Sequence, residues 1–295
     1  MPLNGWIILD KPLGLGSTQA VGAVKRALRE AGKPKTKVGH GGTLDPLATG
    51  VLPIALGEAT KLAGRTLDAT KAYDFTIRFG EETDTLDCEG TVKATSHVLP
   101  SEEAIRGILV RFTGPLEQVP PAYSALKVDG KRAYDLARAG EEVSLKTRNV
   151  TIDNLELLES GENNATFSAT VSKGTYIRSL ARDIARALGT VGHVTMLRRT
   201  KAGPFSLKQA ISLDKLADIA KARFLDEVVL PLEAGLDDIP ALPVTPEQAR
   251  LLRYGQSLVG IPVQPGLHLA KDGDVPVALV EAEGGAVRVV RGFNI

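Results

Sequence analysis

Asp45 lies in the segment GHGGTLDPLATGVLP, residues 39–53, where the backbone rather than the acid itself draws attention. Gly41 and Gly42 permit conformations closed to other residues. Pro46 pushes Asp45 away from helical angles, and Gly50 and Pro53 punctuate the exit. The segment thus presents one carboxylate on a rigid, irregular loop. A carboxylate is ionised at neutral pH and can serve as a nucleophile that forms a covalent intermediate. An Asp-Pro turn between a strand and a helix uses the same residue types, so turn and site both stand at this level. Tyr73 and Arg178 add an aromatic hydroxyl and a guanidinium. Each also has a plainer use, Tyr73 as a core tyrosine and Arg178 as an exposed helix residue.

Other chemistries find no support. The four histidines (His40, His97, His193, His268) are scattered, with no HExxH and no Cys/His pairing, which points away from a metal. The lone Cys88 excludes an internal disulfide framework and a cysteine metal cage. GLGSTQ at 14–19 completes neither a dinucleotide fingerprint nor a P-loop, and no GxSxG is present.

The elements that must position these groups follow from periodicity. Ser17 is expected to cap a helix through Val21, Val24 and Leu28 that stops at Gly32 and Pro34, with Lys25, Arg26 and Arg29 on its outer face. Residues 72–79 alternate strictly, placing Tyr73, Phe75, Ile77 and Phe79 on one strand face. A helix is expected over 101–112, a long loop over 114–130 and a short helix near 131–139. Strands are expected at 148–158 and 165–172. Ile177, Leu180, Ala181, Ile184 and Leu188 then mark an amphipathic helix, with Arg178, Arg182 and Arg186 on a different face. Strands and helices mix without a steady βαβ rhythm, so the fold class is α+β. Residues 236–243 are expected to form a linker, followed by a helix at 245–253 and several short strands.

The chain has 295 residues, which suggests two domains, and its 43% hydrophobic and 24% charged residues suit a buried core. It lacks the apolar run of roughly 20 residues that would span a bilayer, and MPLNGWIILDKP lacks a signal-peptide layout, so no membrane and a cytoplasmic location are expected. The net charge of +1 argues against a nucleic-acid partner, yet it conceals segregation. Residues 1–40 carry seven bases and two acids, and residues 171–203 carry seven bases and one acid. Five acids occupy 81–90, and eight acids against four bases occupy 207–247. Basic blocks of this density fit either a polyanion footprint or solvated helix faces.

The Asp45 loop resembles the catalytic loop of the TruB family, the tRNA pseudouridine-55 synthases. The likeness continues in order through KPLGLGST (11–18), KAYDFTIRFG (71–80), TDTLDCEG (83–90), PPAYSALKVDGKRAYDLARAG (120–140), SKGTYIRSLARDI (172–184) and MLRRTKAGPF (196–205). Gly16 departs from the family, which usually has Ser or Thr there. The resemblance implies a mixed, mainly antiparallel sheet in a pseudouridine synthase fold. It also implies isomerisation of one uridine in the T arm of tRNA, without cofactor or metal. The bond from ribose to uracil nitrogen 1 breaks, the base turns, and it rejoins through carbon 5.

By the same resemblance, Asp45 is the nucleophile, Arg178 pairs with it, and Tyr73 stacks on the base and helps remove the carbon 5 proton. His40 helps take the place of the flipped nucleotide, while Tyr176 and Leu197 line the pocket. Arg182 and Arg186 are at most phosphate contacts. The catalytic domain is expected over 1–238, with an RNA-gripping insertion near 114–148. Residues 239–295 resemble more loosely a PUA-like module, through RYGQSL, GLHLA and the terminal RGFNI. The expected partner is the tRNA T-arm stem-loop, met by a monomer. Two alternatives are a non-catalytic RNA-binding or tRNA-folding protein on the same fold, and an enzyme working inside a guide-RNA complex. The compact length speaks against the latter.

Overall fold

The alternation at 72–79 becomes the strand Lys71–Phe79 in the structure, a computed structural model that describes residues 3–124, 126–128, 130–141 and 145–295. Phe75, Ile77 and Phe79 are buried, and Phe75 stacks on Phe167 of a neighbouring strand with ring centroids 5.3 Å apart. Tyr73 continues the same face but is only half-buried, because there the core gives way to a cleft.

The main sheet strands are β1 (Gly5–Lys11), β2 (Ala48–Leu56), β3 (Lys71–Phe79), β4 (Gly114–Gln118), β5 (Arg148–Ser160), β6 (Asn164–Val171) and β7 (Gly192–Ala202). They lie side by side in the order β1-β2-β7-β3-β6-β5-β4. Within this set β2 and β7 run parallel and the other neighbours antiparallel, giving the mixed, mainly antiparallel sheet of an α+β fold. Leu230–Pro231 extends the β1 edge, Val38–His40 pairs with β2, and Phe205–Ser206 with β7.

Two helices carry the site, α1 (Ser17–Glu30) and α2 (Ile177–Ala187). Val21, Val24 and Leu28 of α1 pack on Ile7, Leu9, Leu52 and Ile54. Ile177, Leu180, Ala181 and Ile184 of α2 pack on Phe75, Ile77 and Phe167. The alternate residues of β1, Trp6 and Ile8, bury instead against Leu269, Leu279 and Phe293 near the C-terminus. Both faces of β1 are therefore covered, which is why GWIIL is continuously apolar. The C-terminal residues form a five-stranded sheet, in the order Ala241–Pro243, Gly266–Asp272, Val275–Glu283, Ala286–Gly292 and Leu258–Val259. Thr245 and Gln248 form a capping box on its helix, Pro246–Arg253.

Three expectations change. Ser17 does not cap α1; Gly16 stands at the cap, its N–H donating to Gln19 Oε1 at 2.8 Å, and Ser17 is turned to other use. The expected loop 114–130 begins with the edge strand β4, whose Pro115 is tolerated there. It also contains the hairpin Lys127–Val128 with Lys131–Arg132. The expected insertion includes positions 125, 129 and 142–144, which lie outside the described residues. Finally, the acidic 236–243 segment is no simple linker: Leu236 is buried, and Ala241–Pro243 is already a strand of the C-terminal sheet. Among the described residues no helix is long and apolar enough to cross a membrane.

Candidate active site

The loop carrying Asp45 is tied down from three sides. Ser17 Oγ donates to Leu44 O at 2.9 Å and accepts from Leu44 N–H at 2.8 Å, so the start of α1 fixes the residue before Asp45. Lys11, fully buried at the end of β1, donates to Leu15 O at 2.6 Å, Pro12 O at 3.0 Å and Pro46 O at 3.3 Å. Burial pulls its ammonium down to about 8, against the opposing Asp45 carboxylate. Arg199 of β7, 1% exposed, donates to Val51 O at 2.7 Å, Gly42 O at 3.2 Å and Thr43 O at 3.3 Å. Gly50 has φ +100, and a Cβ there would lie 2.2 Å from Arg199 O, so β2 and β7 can approach only at a glycine. The irregular loop expected from glycine and proline is thus held by a lysine and an arginine that the local pattern did not single out, and by a serine expected to cap a helix instead.

Arg178 sits in the first turn of α2 with its side chain 8% exposed. One nitrogen donates to Asp45 Oδ2 at 2.8 Å and to Tyr123 O at 3.1 Å. The other reaches Thr85 O at 2.9 Å and Asp87 Oδ2 at 3.2 Å. Asp87 is in turn held by Thr85 Oγ1 at 2.5 Å and Glu89 N at 3.0 Å. The guanidinium therefore cannot swing, and it presents a fixed positive charge to one carboxylate oxygen. A planar fork that reaches two carboxylates at once, one through each nitrogen, is suited to that task in a way lysine is not.

The opposite wall comes from the sheet and the N-terminal end of α2. Tyr176 is the α2 cap residue. Its backbone exchanges two hydrogen bonds with the Gln118 side chain, 2.8 Å from Tyr176 N and 3.2 Å to Tyr176 O. The Arg148 guanidinium lies 5.6 Å from its ring centroid. Tyr73 faces Arg199 across the β3–β7 ladder. Lys71, two residues along the same face, donates to Leu67 O at 2.5 Å and Ala69 O at 2.6 Å. Burial and then Arg199 lower it to about 8.

Asp45, Tyr73, Tyr176, Arg178 and Leu197 all line one cleft of about 320 Å³, together with Lys71, Ser124 and Arg199. That volume is at the small end of ligand sites, about 300–1,000 Å³, and suits a single nucleoside. Five of the six expected site residues are thus brought together. His40 is not among the lining residues. It ends the Val38–His40 strand with its ring partly buried, and burial followed by the nearby Arg199 lowers its pKa. Asp87, Gln118, Arg148 and Arg199 were missed as site residues. The ordered motifs TDTLDCEG and MLRRTKAGPF contain two of them, and that was the available signal.

Arg182 and Arg186, considered as phosphate contacts, are paired. Arg182 donates to Asp183 at 2.8 Å and to Val119 O at 3.1 Å, and Arg186 to Glu82 at 3.1 Å. Arg198 grips Asp10 through both nitrogens, at 3.0 and 2.8 Å.

Comparison with known proteins agrees with this geometry. Residues 26–177 match the TruB family pseudouridylate synthase N-terminal domain, and residues 178–237 match the tRNA pseudouridylate synthase B C-terminal domain. The tRNA pseudouridine synthase B of Novosphingobium aromaticivorans is 64% identical over 298 residues, covering 99% of this chain and 98% of the relative. That of Zymomonas mobilis is 60% identical over 292 residues, covering 99% and 96%. Among solved structures, a Cbf5-Nop10-Gar1 complex aligns with TM-score 0.75 and 28% identity, covering 98% of this chain and 85% of that chain. An H/ACA RNP bound to a substrate RNA containing 2'-deoxyuridine aligns with TM-score 0.75 and 27% identity, covering 99% and 85%.

Proposed function

The chain belongs to the TruB family of pseudouridine synthases, and from that premise we propose that its cleft converts uridine 55 in the T arm of tRNA to pseudouridine, with Asp45 as nucleophile. The coarser activity, pseudouridine formation in tRNA, is that of the family. The observation that carries the residue assignment is the 2.8 Å contact between Asp45 and Arg178 inside a nucleoside-sized cleft.

Arg178 occupies Oδ2, and Asp45 Oδ1 has no hydrogen-bond donor among the described residues. That oxygen is the one available to form the covalent bond. The glycosidic bond to N1 breaks, the base turns, and carbon 5 bonds to the ribose in its place. One proton leaves carbon 5 and one is gained at N1, so atoms balance without a co-reactant. Tyr73 stacks on the base and assists loss of the carbon 5 proton, Tyr176 and Leu197 confine the ring, and His40 helps fill the space of the extruded nucleotide. Extrusion costs a few kcal/mol, which contacts along the RNA must offset. Residues 1–238 form the catalytic body with the gripping segment 114–148, and 239–295 a PUA-like module against the tRNA. The protein acts as a cytoplasmic monomer and without a guide RNA. A protein that merely binds RNA would have no use for a carboxylate held by a buried arginine inside a nucleoside-sized cleft.

The purified protein is expected to convert the T-arm uridine of an unmodified tRNA transcript without added metal or nucleotide. Carbodiimide-stop primer extension reads the product directly. Activity persisting in Asp45→Ala would overturn the nucleophile assignment.

A further inference from the structure

Ser124 lines the cleft at 4% exposure, and its Oγ has no hydrogen-bond partner among the described residues. Other buried serines of the site do not share this condition. Ser17 exchanges two bonds with Leu44, and Ser179 donates to Val119 O at 2.8 Å. The backbone of Ser124 is fully used, its N–H donating to Ala122 O at 3.0 Å and its carbonyl accepting from Tyr134 N at 3.1 Å. The carbonyl of the preceding Tyr123 accepts from Arg178, the same guanidinium that holds Asp45. The hydroxyl is therefore placed relative to the nucleophile through one rigid group, while its own bonding capacity is unspent. A buried hydroxyl left in this state destabilises the free protein, and a ligand that satisfies it is favoured accordingly.

We propose that the Ser124 hydroxyl donates a hydrogen bond to a ring carbonyl oxygen of the uracil in the cleft, and that it does so both before and after the base turns. The inference rests on the pseudouridine assignment above. Its chemical basis is the symmetry of the base. Uracil carries carbonyls at carbons 2 and 4, on either side of N3. Turning the ring about the N3–C6 axis exchanges carbon 5 with N1, and in the same motion it exchanges the two carbonyls. A donor that meets one carbonyl in the substrate meets the other in the product. A neutral hydroxyl thus holds the detached ring at both ends of its rotation without changing protonation state. Ser124 is on this account a base-contacting residue.

The test is Ser124→Ala, read in single turnover on a tRNA transcript. The rate of pseudouridine formation is expected to fall about tenfold, with tRNA affinity unchanged within about twofold. The unfolding midpoint should stay the same or rise, because an unsatisfied polar group has been removed; a purely structural serine would lower it. Transcripts with 2-thiouridine or 4-thiouridine at the target weaken one carbonyl acceptor at a time. They should slow the wild type and slow Ser124→Ala little further, since the two changes delete the same bond. Losses that multiply for both thio-substituted transcripts, or a wild-type rate in Ser124→Ala, would overturn the proposal. A wild-type protein inert on tRNA would instead overturn the pseudouridine assignment beneath it.

Discussion

In residues 171–203 the arginines are held by partners, whereas in residues 1–40 the basic side chains stand mostly in solvent. Arg178, Arg182, Arg186 and Arg198 each pair with a carboxylate, and Arg199 is buried against three carbonyls. Lys25, Arg26, Arg29, Lys35 and Lys37 are exposed; Lys11 is buried, and Lys33 pairs with Asp226. The two segments have almost the same charge and opposite uses. Guanidinium groups locked by acids and carbonyls create a preorganised site, since no reorganisation is required when charge develops there. Solvated cations instead attract a polyanion over a longer range and release counterions on binding.

The sharpest test of that division is Arg178→Ala. It removes the donor on Asp45 and leaves Asp87, its side chain 10% exposed, without its cation. The single-turnover rate should fall by about 10²–10³-fold, the scale seen when one preorganised donor is lost. The tRNA dissociation constant should change only a few-fold. Arg178→Lys keeps the charge but not the fork that spans Asp45 and Asp87, so it should recover only part of the rate. A wild-type rate in Arg178→Ala would return this arginine to the company of the surface cations.

Arg199 should fail differently. Its hydrogen bonds run to Gly42, Thr43 and Val51 carbonyls, so its work is to hold the loop shape. Arg199→Ala should lower unfolding free energy by about 3 kcal/mol, because two buried carbonyls and a part-buried one lose a charged donor. Urea denaturation measures this directly. Unchanged stability with a loss confined to rate would make Arg199 a second Arg178.

What could be read in the chain followed the reach of each signal. Helical spacing in α1 and α2 and alternation in β3 are local. They put Tyr73 on its strand face and Arg178 on its helix, but not the burial of Arg178, and Tyr176 came only through the family resemblance. The Asp45 loop was legible from its glycines and prolines. The partners were not. Arg198 meets Asp10 across 188 residues, Arg186 meets Glu82 across 104, and Gln118 fixes Tyr176 across 58. No periodicity encodes such pairs, so the acids at 81–90 looked like an offset in the charge count. In the fold two of them are anchors for α2, Asp87 on Arg178 and Glu82 on Arg186. Ser17 misled for a related reason: a good capping residue type was needed more by Leu44 than by its own helix.

The smallest expected effect addresses the solvated side of the division. Arg26→Ala and Arg29→Ala should each reduce the slope of log affinity against log salt by about one if each residue neutralises a phosphate. Arg182→Ala should leave the slope unchanged, because its side chain is 12% exposed and already bonded to Asp183 and Val119. Arg198→Ala should change it by less than one, since a phosphate must compete with Asp10 for the same two nitrogens. Filter binding across a salt series separates these cases. Equal slope changes for Arg26→Ala and Arg198→Ala would mean that the Asp10 pair opens on tRNA. The basic side chains of 171–203 would then contribute to the polyanion footprint as fully as those of 1–40.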